Sequence, residues 1–322
     1  MDTAYTLSAA ETAALTRRVT ALSVATAAIL AALKALVWLI TDSVSILASL
    51  ADSGLDVLAA LGTFFAVRYA ATPPDAEHRF GHGKAEAFAS LVQAGLVFAS
   101  AALIGEEAIR HLFRAQPLAQ SGWAIAVMLA STLLTAALVY AQTQVLRRAR
   151  SVAVTGDRAH YLADLASNLA ALVAIAATAL TGLSGFDAIG GLVVMGVLLW
   201  GAVGVFRAAS NELLDRELSD EARARIVALM TEDPRLTDVH QLRTRASGPI
   251  MHIQMHADLD PELSLETAHK VVVAAEKRVL TEFPAADIII HADPRGRAEP
   301  HGGAFPEAHE TAEGEAPTVA LE

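Results

Sequence analysis

The chain has 322 residues, 54% of them hydrophobic and 18% charged, with a formal net charge of -11 and no cysteine. Its mean hydropathy is +0.42, and the apolar residues fall into blocks of membrane-spanning length, which excludes an ordinary soluble domain and implies an integral membrane protein. Without cysteine there are no disulfides, thiolate metal sites or thiol catalysis, so a metal could be held only by oxygen and imidazole nitrogen.

Residues 1–18 are polar and lightly charged and read as a cytoplasmic N-terminal segment. Six apolar blocks follow, near 19–40, 44–67, 87–109, 122–145, 159–181 and 188–206, so that 19–208 is predicted to form a six-helix transmembrane domain. No cleavable leader is expected, because the first block is longer than the roughly 7 to 15 apolar residues of a signal core. Arg17, Arg18, Arg68, Arg79, Lys84, Arg147, Arg148, Arg150, Arg158 and Arg207 fall on one side of these blocks, and only Arg110 and Arg114 on the other. The positive side is cytoplasmic, which predicts both termini inside.

Between 209 and 296 the composition becomes that of a soluble domain. "SDEARARIVALMTED" has helical periodicity after a Ser219 cap, "DVHQLRTRA" and "IMHIQMHADL" alternate as strands, "SLETAHKVVVAAEKRVLTEF" is an amphipathic helix, and "ADIIIHAD" is a third strand. The expected order is αββαβ. Residues 297–322 hold six glutamates beyond Arg297 and no Lys or Arg, and read as a disordered acidic tail with no reason to bind nucleic acid. His301 and His309 in it read as solvated.

Charges inside membrane helices are costly, about 2.5 to 3.5 kcal/mol each on the insertion scale. The second block nevertheless carries Asp52 and Asp56, and the fifth opens with His160 and Asp164. Each pair is spaced four apart, so each shares a helix face. Facing one another, the pairs would offer three carboxylates and an imidazole, a donor set suited to tetrahedral Zn²⁺ or a similar divalent ion. The blander reading pairs the aspartates with Lys34, alone in the first block, but one lysine cannot neutralise three carboxylates. Metal and protons would compete for the same lone pairs, so a site alternating between the two faces would exchange one for the other.

The strings "SVSILASLADSGLD", "HRFGHGKAEAFASL", "GDRAHYLAD", "ELLDRELSDE", "HQLRTRASGP" and "IIIHADP" run in this order from residue 43 to 294. In them the chain resembles the cation diffusion facilitator family, in its bacterial zinc and iron efflux branch. The resemblance implies six transmembrane helices plus a metallochaperone-like cytoplasmic domain, a homodimer in a bacterial-type inner membrane, and a proton-coupled antiporter of Zn²⁺, with Cd²⁺ and Fe²⁺ as further substrates. It implies a transport site at Asp52, Asp56, His160 and Asp164, and a second site at Asp75, His78 and His82 in the loop between blocks two and three. It also implies a paired-metal site in the soluble domain at His240, His256, His291 and Asp293 completed by His269, and a salt bridge between Lys84 and Asp215. For the loop the residues alone read more often as a solvated turn, and for the last pair as ordinary surface charge. His252 matches no ligand of the family.

Two other functions compete with export. A membrane-anchored metal sensor would not need two chelating pairs at bilayer depth. An intramembrane hydrolase finds no H-E-x-x-H motif, and a two-aspartate mechanism would not need His160 or Asp164, so an enzyme is not expected.

Overall fold

The computed structural model describes residues 6–42, 44–113, 122–181 and 186–296. Arg114 and the acidic tail with His301 and His309 lie outside the described residues. Six long helices come first: α1 (Ala9–Thr41), α2 (Val44–Ala70), α3 (Ala85–Phe113), α4 (Gly122–Leu146), α5 (Val152–Thr181) and α6 (Phe186–Leu213). Among the described residues, five of them hold a stretch long and apolar enough to cross a membrane. The remaining one, α5, carries Asp157, Arg158, His160 and Asp164 in its first half.

Two of these helices start well before their apolar blocks, because polar side chains cap them. In α1, Ser8 accepts a hydrogen bond from the Glu11 N–H while the Glu11 carboxylate accepts from the Ser8 N–H, a capping box that starts the helix at Ala9. In α5, Ser151 Oγ accepts from the Val154 N–H at 3.2 Å and gives its own proton to Glu86 of α3. Glu86 is fully buried and also accepts from the N–H groups of Ala153 and Val152, so an acid on one helix satisfies the orphan donors of another.

The apolar centre of the helical unit is built where α3, α5 and α6 meet, from Val97, Ala101, Ala163, Val194, Leu198 and Ala202. Small residues set the spacing there. A Cβ on Gly156 of α5 would lie 2.8 Å from Ser90 Oγ, 3.1 Å from Ser90 Cα and 3.2 Å from Gln93 Cβ of α3, and one on Gly191 of α6 would lie 2.8 Å from Ala108 Cβ of α3. Without a hydrophobic driving force between helices in lipid, such close backbone approach supplies the packing energy.

The elements that follow are α7 (Asp220–Met230), β1 (Leu236–Ser247), β2 (Ile250–Leu259), α8 (Leu265–Glu282) and β3 (Ala286–Pro294), the αββαβ order the alternation predicts. Ser219 caps α7 as expected, accepting from the Ala222 N–H. The strands form one sheet in the order β1-β2-β3. Met251 N donates to Ala285 O and Arg295 N to Leu259 O, so positions on β2 and β3 rise together and these strands run parallel, with α8 as the crossover. Met251, Ile253, Met255, Ala257 and Leu259 of β2 are buried, as are Val271, Ala275 and Val279 at four-residue spacing on α8 and Ile226, Leu229 and Met230 on α7. The chain divides into two compact units, one of residues 1–216 with 245–251 and 282–285, the other of 217–244, 252–281 and 286 onward.

Gly156→Ala is expected to cost about 1 to 3 kcal/mol of stability, because its Cβ meets backbone as well as a flexible side chain and α5 must move off α3. Thermal unfolding of the purified protein in detergent measures it, and an unchanged midpoint would show that the helices are not held this closely.

Candidate metal centres

Between α2 and α5 the structure brings together three of the four residues read as a transport site. His160 Nε2 of α5 lies 3.0 Å from Asp56 Oδ1 of α2 and 3.9 Å from Asp164 Oδ2 one turn further along α5. Ligand atoms from Asp56, His160 and Asp164 lie within 4.8 Å of one another. Asp52 sits one turn before Asp56 but is exposed and outside that group. Lys34 donates to Ser49 O at 3.2 Å and Ser53 Oγ at 2.7 Å, so its hydrogen bonds go to neutral groups of α2.

The loop between α2 and α3 gathers Asp75, His78 and His82. His82 Nε2 lies 3.2 Å from Asp75 Oδ2 and His78 Nδ1 3.5 Å from Asp75 Oδ1, with the two rings 4.7 Å apart. Gly81 turns the chain with φ of 80°, a conformation that suits glycine, and so lets the two histidines fold onto one aspartate. Hydrogen bonds from the backbone N–H of His78, and then of Glu77, hold the Asp75 carboxyl below the usual carboxylate range. His82 is buried, and its Nδ1 pairs with Thr72 Oγ1 at 2.9 Å.

In the second unit the hub is Asp293 of β3, 5% exposed. Its Oδ2 lies 2.8 Å from His256 Nδ1 and 3.5 Å from His240 Nε2, and its Oδ1 lies 3.3 Å from His291 Nε2. The His256 ring stacks on His291 at 4.7 Å and tilts against His240 at 5.3 Å. Three strands thus supply one cluster. His269 lies on an exposed face of α8 and does not join it within one chain. His252 is buried and turns to Asp287, with Nδ1 at 3.1 Å from its Oδ2.

The cation efflux transmembrane domain family matches residues 20–214, and the cation efflux cytoplasmic domain family matches residues 218–295. The chain belongs to the cation efflux family. The cation-efflux pump FieF of Klebsiella pneumoniae subsp. pneumoniae is 39% identical over 270 residues, covering 84% of this chain and 90% of its own. FieF of Citrobacter koseri is 39% identical over 268 residues, covering 83% and 89%, and that of Escherichia coli O139:H28 is 38% identical over 84% and 90%. A Zn form of CzrB, 30% identical, covers 26% of this chain and 98% of its own at a TM-score of 0.25. As a cation efflux protein the chain is a multi-pass membrane transporter of metal cations, in a family of transporters rather than enzymes.

Several polar groups of this transporter were not singled out by sequence reasoning. Asp157 carries no four-residue partner of its own type, yet it is buried among side chains from other helices. Asp238 and Asp258 offer ligand atoms within 4.8 Å of His240 and of each other, with Asp258 Oδ1 3.9 Å from His240 Nδ1. Gln241, the next residue along β1, has φ of 48°, which interrupts the strict alternation directly after His240.

Lys84 Nζ lies 3.0 Å from Asp215 Oδ1, the pair read from the sequence, and Arg245 Nη1 lies 3.0 Å from the other oxygen. Gly83 beside Lys84 leaves no room for a side chain: a Cβ there would run into the Ser247 backbone. Burial works to raise the Asp215 carboxyl, but hydrogen bonds from Lys84 and Arg245 outweigh it and hold it below the usual range. A folded value below the unfolded one means stabilisation that is complete above the unfolded value, about 3.9, and is lost as the pH falls through the folded one. Thermal unfolding should therefore show wild type more stable than Asp215→Asn at neutral pH, by about 1 kcal/mol or less given the half-exposed side chains. The gap should close only below about pH 4. A gap that closes near neutrality would show that another group is responsible.

Proposed function

We propose that the chain exports divalent cations from the cytoplasm in exchange for protons, with Zn²⁺ foremost and Cd²⁺ and Fe²⁺ as further substrates, through Asp56, His160 and Asp164 with Asp52 as the fourth ligand. The observation that carries this is the 3.0 Å contact of His160 Nε2 with Asp56 Oδ1. At that distance a hydrogen bond holds a proton where a metal ion would otherwise bridge nitrogen and oxygen. Metal entry displaces the proton and metal release recovers it, so alternating access to the two faces makes the competition an exchange. Asp52, one turn along α2, closes the set by a small shift of that helix.

Carboxylates with one imidazole and no sulfur suit Zn²⁺ and other divalent ions, Mn²⁺ included, and the order of substrates follows the family resemblance. The family matches on both parts of the chain and the FieF relatives support cation export. The excess of Arg and Lys in alternate loops supports a cytoplasmic location for both termini in a bacterial-type inner membrane. The domain boundaries follow as 1–18, 19–208, 209–296 and 297–322. Asp75, His78 and His82 form a loop site, and Asp293 with His240, His256 and His291 a cytoplasmic one. The latter joins two copies into a homodimer, in which the exposed His269 adds its ligand.

In proteoliposomes, Zn²⁺ uptake should accelerate when the lumen is made more acid than the outside. Asp56→Asn keeps the shape of the helix and removes one anionic ligand, so flux should fall by about tenfold or more and lose its response to the gradient. Normal flux with an intact response to pH would make the aspartates structural. Separately, Zn²⁺ should raise the thermal midpoint of the full-length protein and favour its dimer, and His256→Ala should remove much of that effect. Identical Zn²⁺ shifts in His256→Ala and wild type would place the stabilising ion elsewhere.

A further inference from the structure

One turn before His160, α5 carries a second buried acid that is not among the clustered ligands. Asp157 is 1% exposed, and its hydrogen bonds come from neutral side chains on other helices. Its Oδ2 accepts from Ser23 Oγ of α1 at 2.6 Å and from Gln142 Nε2 of α4 at 2.9 Å, and its Oδ1 accepts from Gln93 Nε2 of α3 at 3.4 Å. The network branches from there. Gln93 Nε2 also reaches Thr63 Oγ1 of α2 at 3.0 Å, Gln142 Nε2 reaches Ser23 Oγ at 3.2 Å, and the buried Tyr161 hydroxyl donates to Ser23 O at 3.1 Å. A single carboxylate ties α1, α3 and α4 to α5, and through Gln93 it reaches α2.

Two of the helices so joined are the ones that carry the cation ligands. His160 and Asp164 lie three and seven residues beyond Asp157, and Asp56 lies seven residues before Thr63, spacings that keep each set on one side of its helix. The separation of α2 and α5 decides whether His160 meets Asp56. An acidic side chain at this depth is costly, and such groups mark function. Asp157 does not act as a ligand in this arrangement, since both oxygens are occupied by donors and it stands outside the ligand group.

We propose that Asp157 is a positioning residue for cation transport: by accepting hydrogen bonds from Ser23, Gln93 and Gln142 it sets α5 against α2, so that His160 and Asp164 converge with Asp56. This rests on the reading of those three residues as the transport site. An asparagine in its place would still accept from Ser23 and Gln142 but would present an N–H to the Gln93 amide, cutting the arm that leads to α2. The pair Asp157→Ser with Ser23→Asp moves the acid across to α1 and rebuilds the same contact with the roles exchanged.

The test is Zn²⁺ and Cd²⁺ transport by the full-length protein in proteoliposomes, with thermal unfolding in parallel. Asp157→Asn should remain folded, raise KM for Zn²⁺ by about tenfold or more, and change the ratio of kcat/KM for the two ions, because the ligand geometry rather than the amount of folded protein has altered. The exchanged pair should bring KM back towards wild type. If Asp157→Asn fails to fold, Gln142→Met removes one arm while leaving the acid, and should raise KM to a smaller extent. Wild-type KM and ion ratio in the folded variants, with only the yield reduced, would overturn the proposal. So would a folded but inactive exchanged pair, which would mean that the ion itself needs a carboxylate at position 157. Asp56→Asn serves as the control: if it transports normally, the site reading fails and this proposal with it, whereas loss in Asp56→Asn beside an unaltered Asp157→Asn overturns the positioning role alone.

Discussion

An ionised carboxylate inside a bilayer must be given something to bind, and most of the polar architecture of the helical unit answers that need. The chain uses three solutions within a few turns of one another. Glu86 sits against the start of α5 and takes its unpaired N–H groups. Asp157 is surrounded by neutral hydroxyl and amide donors. Asp56 and Asp164 are left with an imidazole between them. The first two are closed arrangements in which each carboxylate is held by three fixed donors. The third is open, because histidine can give up its proton, and this is the property that the proposed exchange of metal for protons draws on.

The second unit meets the same ligand chemistry under a different constraint. In contact with water, isolated aspartates and histidines cost little, so their presence alone says little. Asp293 is informative because it is 5% exposed and is approached by three histidines carried on three strands. The sheet brings them together: β1, β2 and β3 are neighbours in order, and the same face of each contributes to the cluster. A parallel crossover through α8 fixes β3 beside β2, and with it the pairing of His256 and Asp293.

What could be read from the sequence follows from what period and composition encode. The strand 250–259 is visible to the residue in its alternation, and the Asp56 and His160 pairs are visible because a helix repeats every three to four positions. Helices α1 and α5 begin before their apolar blocks, since Ser8 and Ser151 cap segments whose polarity hides them from a hydropathy reading. Distances between helices are not written in any local period. That Asp52 stands apart while Asp56 meets His160 depends on how α2 is rotated against α5. Asp157 leaves no local mark, because its donors Ser23, Gln93 and Gln142 lie 134, 64 and 15 residues away in the chain. The left-handed backbone at Gln241 falls on a residue type that gives no warning of it.

The polar first half of α5 also bears on how the protein is made. The other long helices hold apolar stretches that can partition into lipid one at a time as they leave the ribosome. Those first turns of α5 find their hydrogen bonds on Ser23, Glu86, Gln93 and Gln142, all synthesised earlier. Their entry into the membrane is therefore tied to chain already in place, and α1, α3 and α4 act as an internal template for the helix that bears His160. Of the first five helices, α5 is thus the one whose opening turns lean most on side chains contributed by helices made before it.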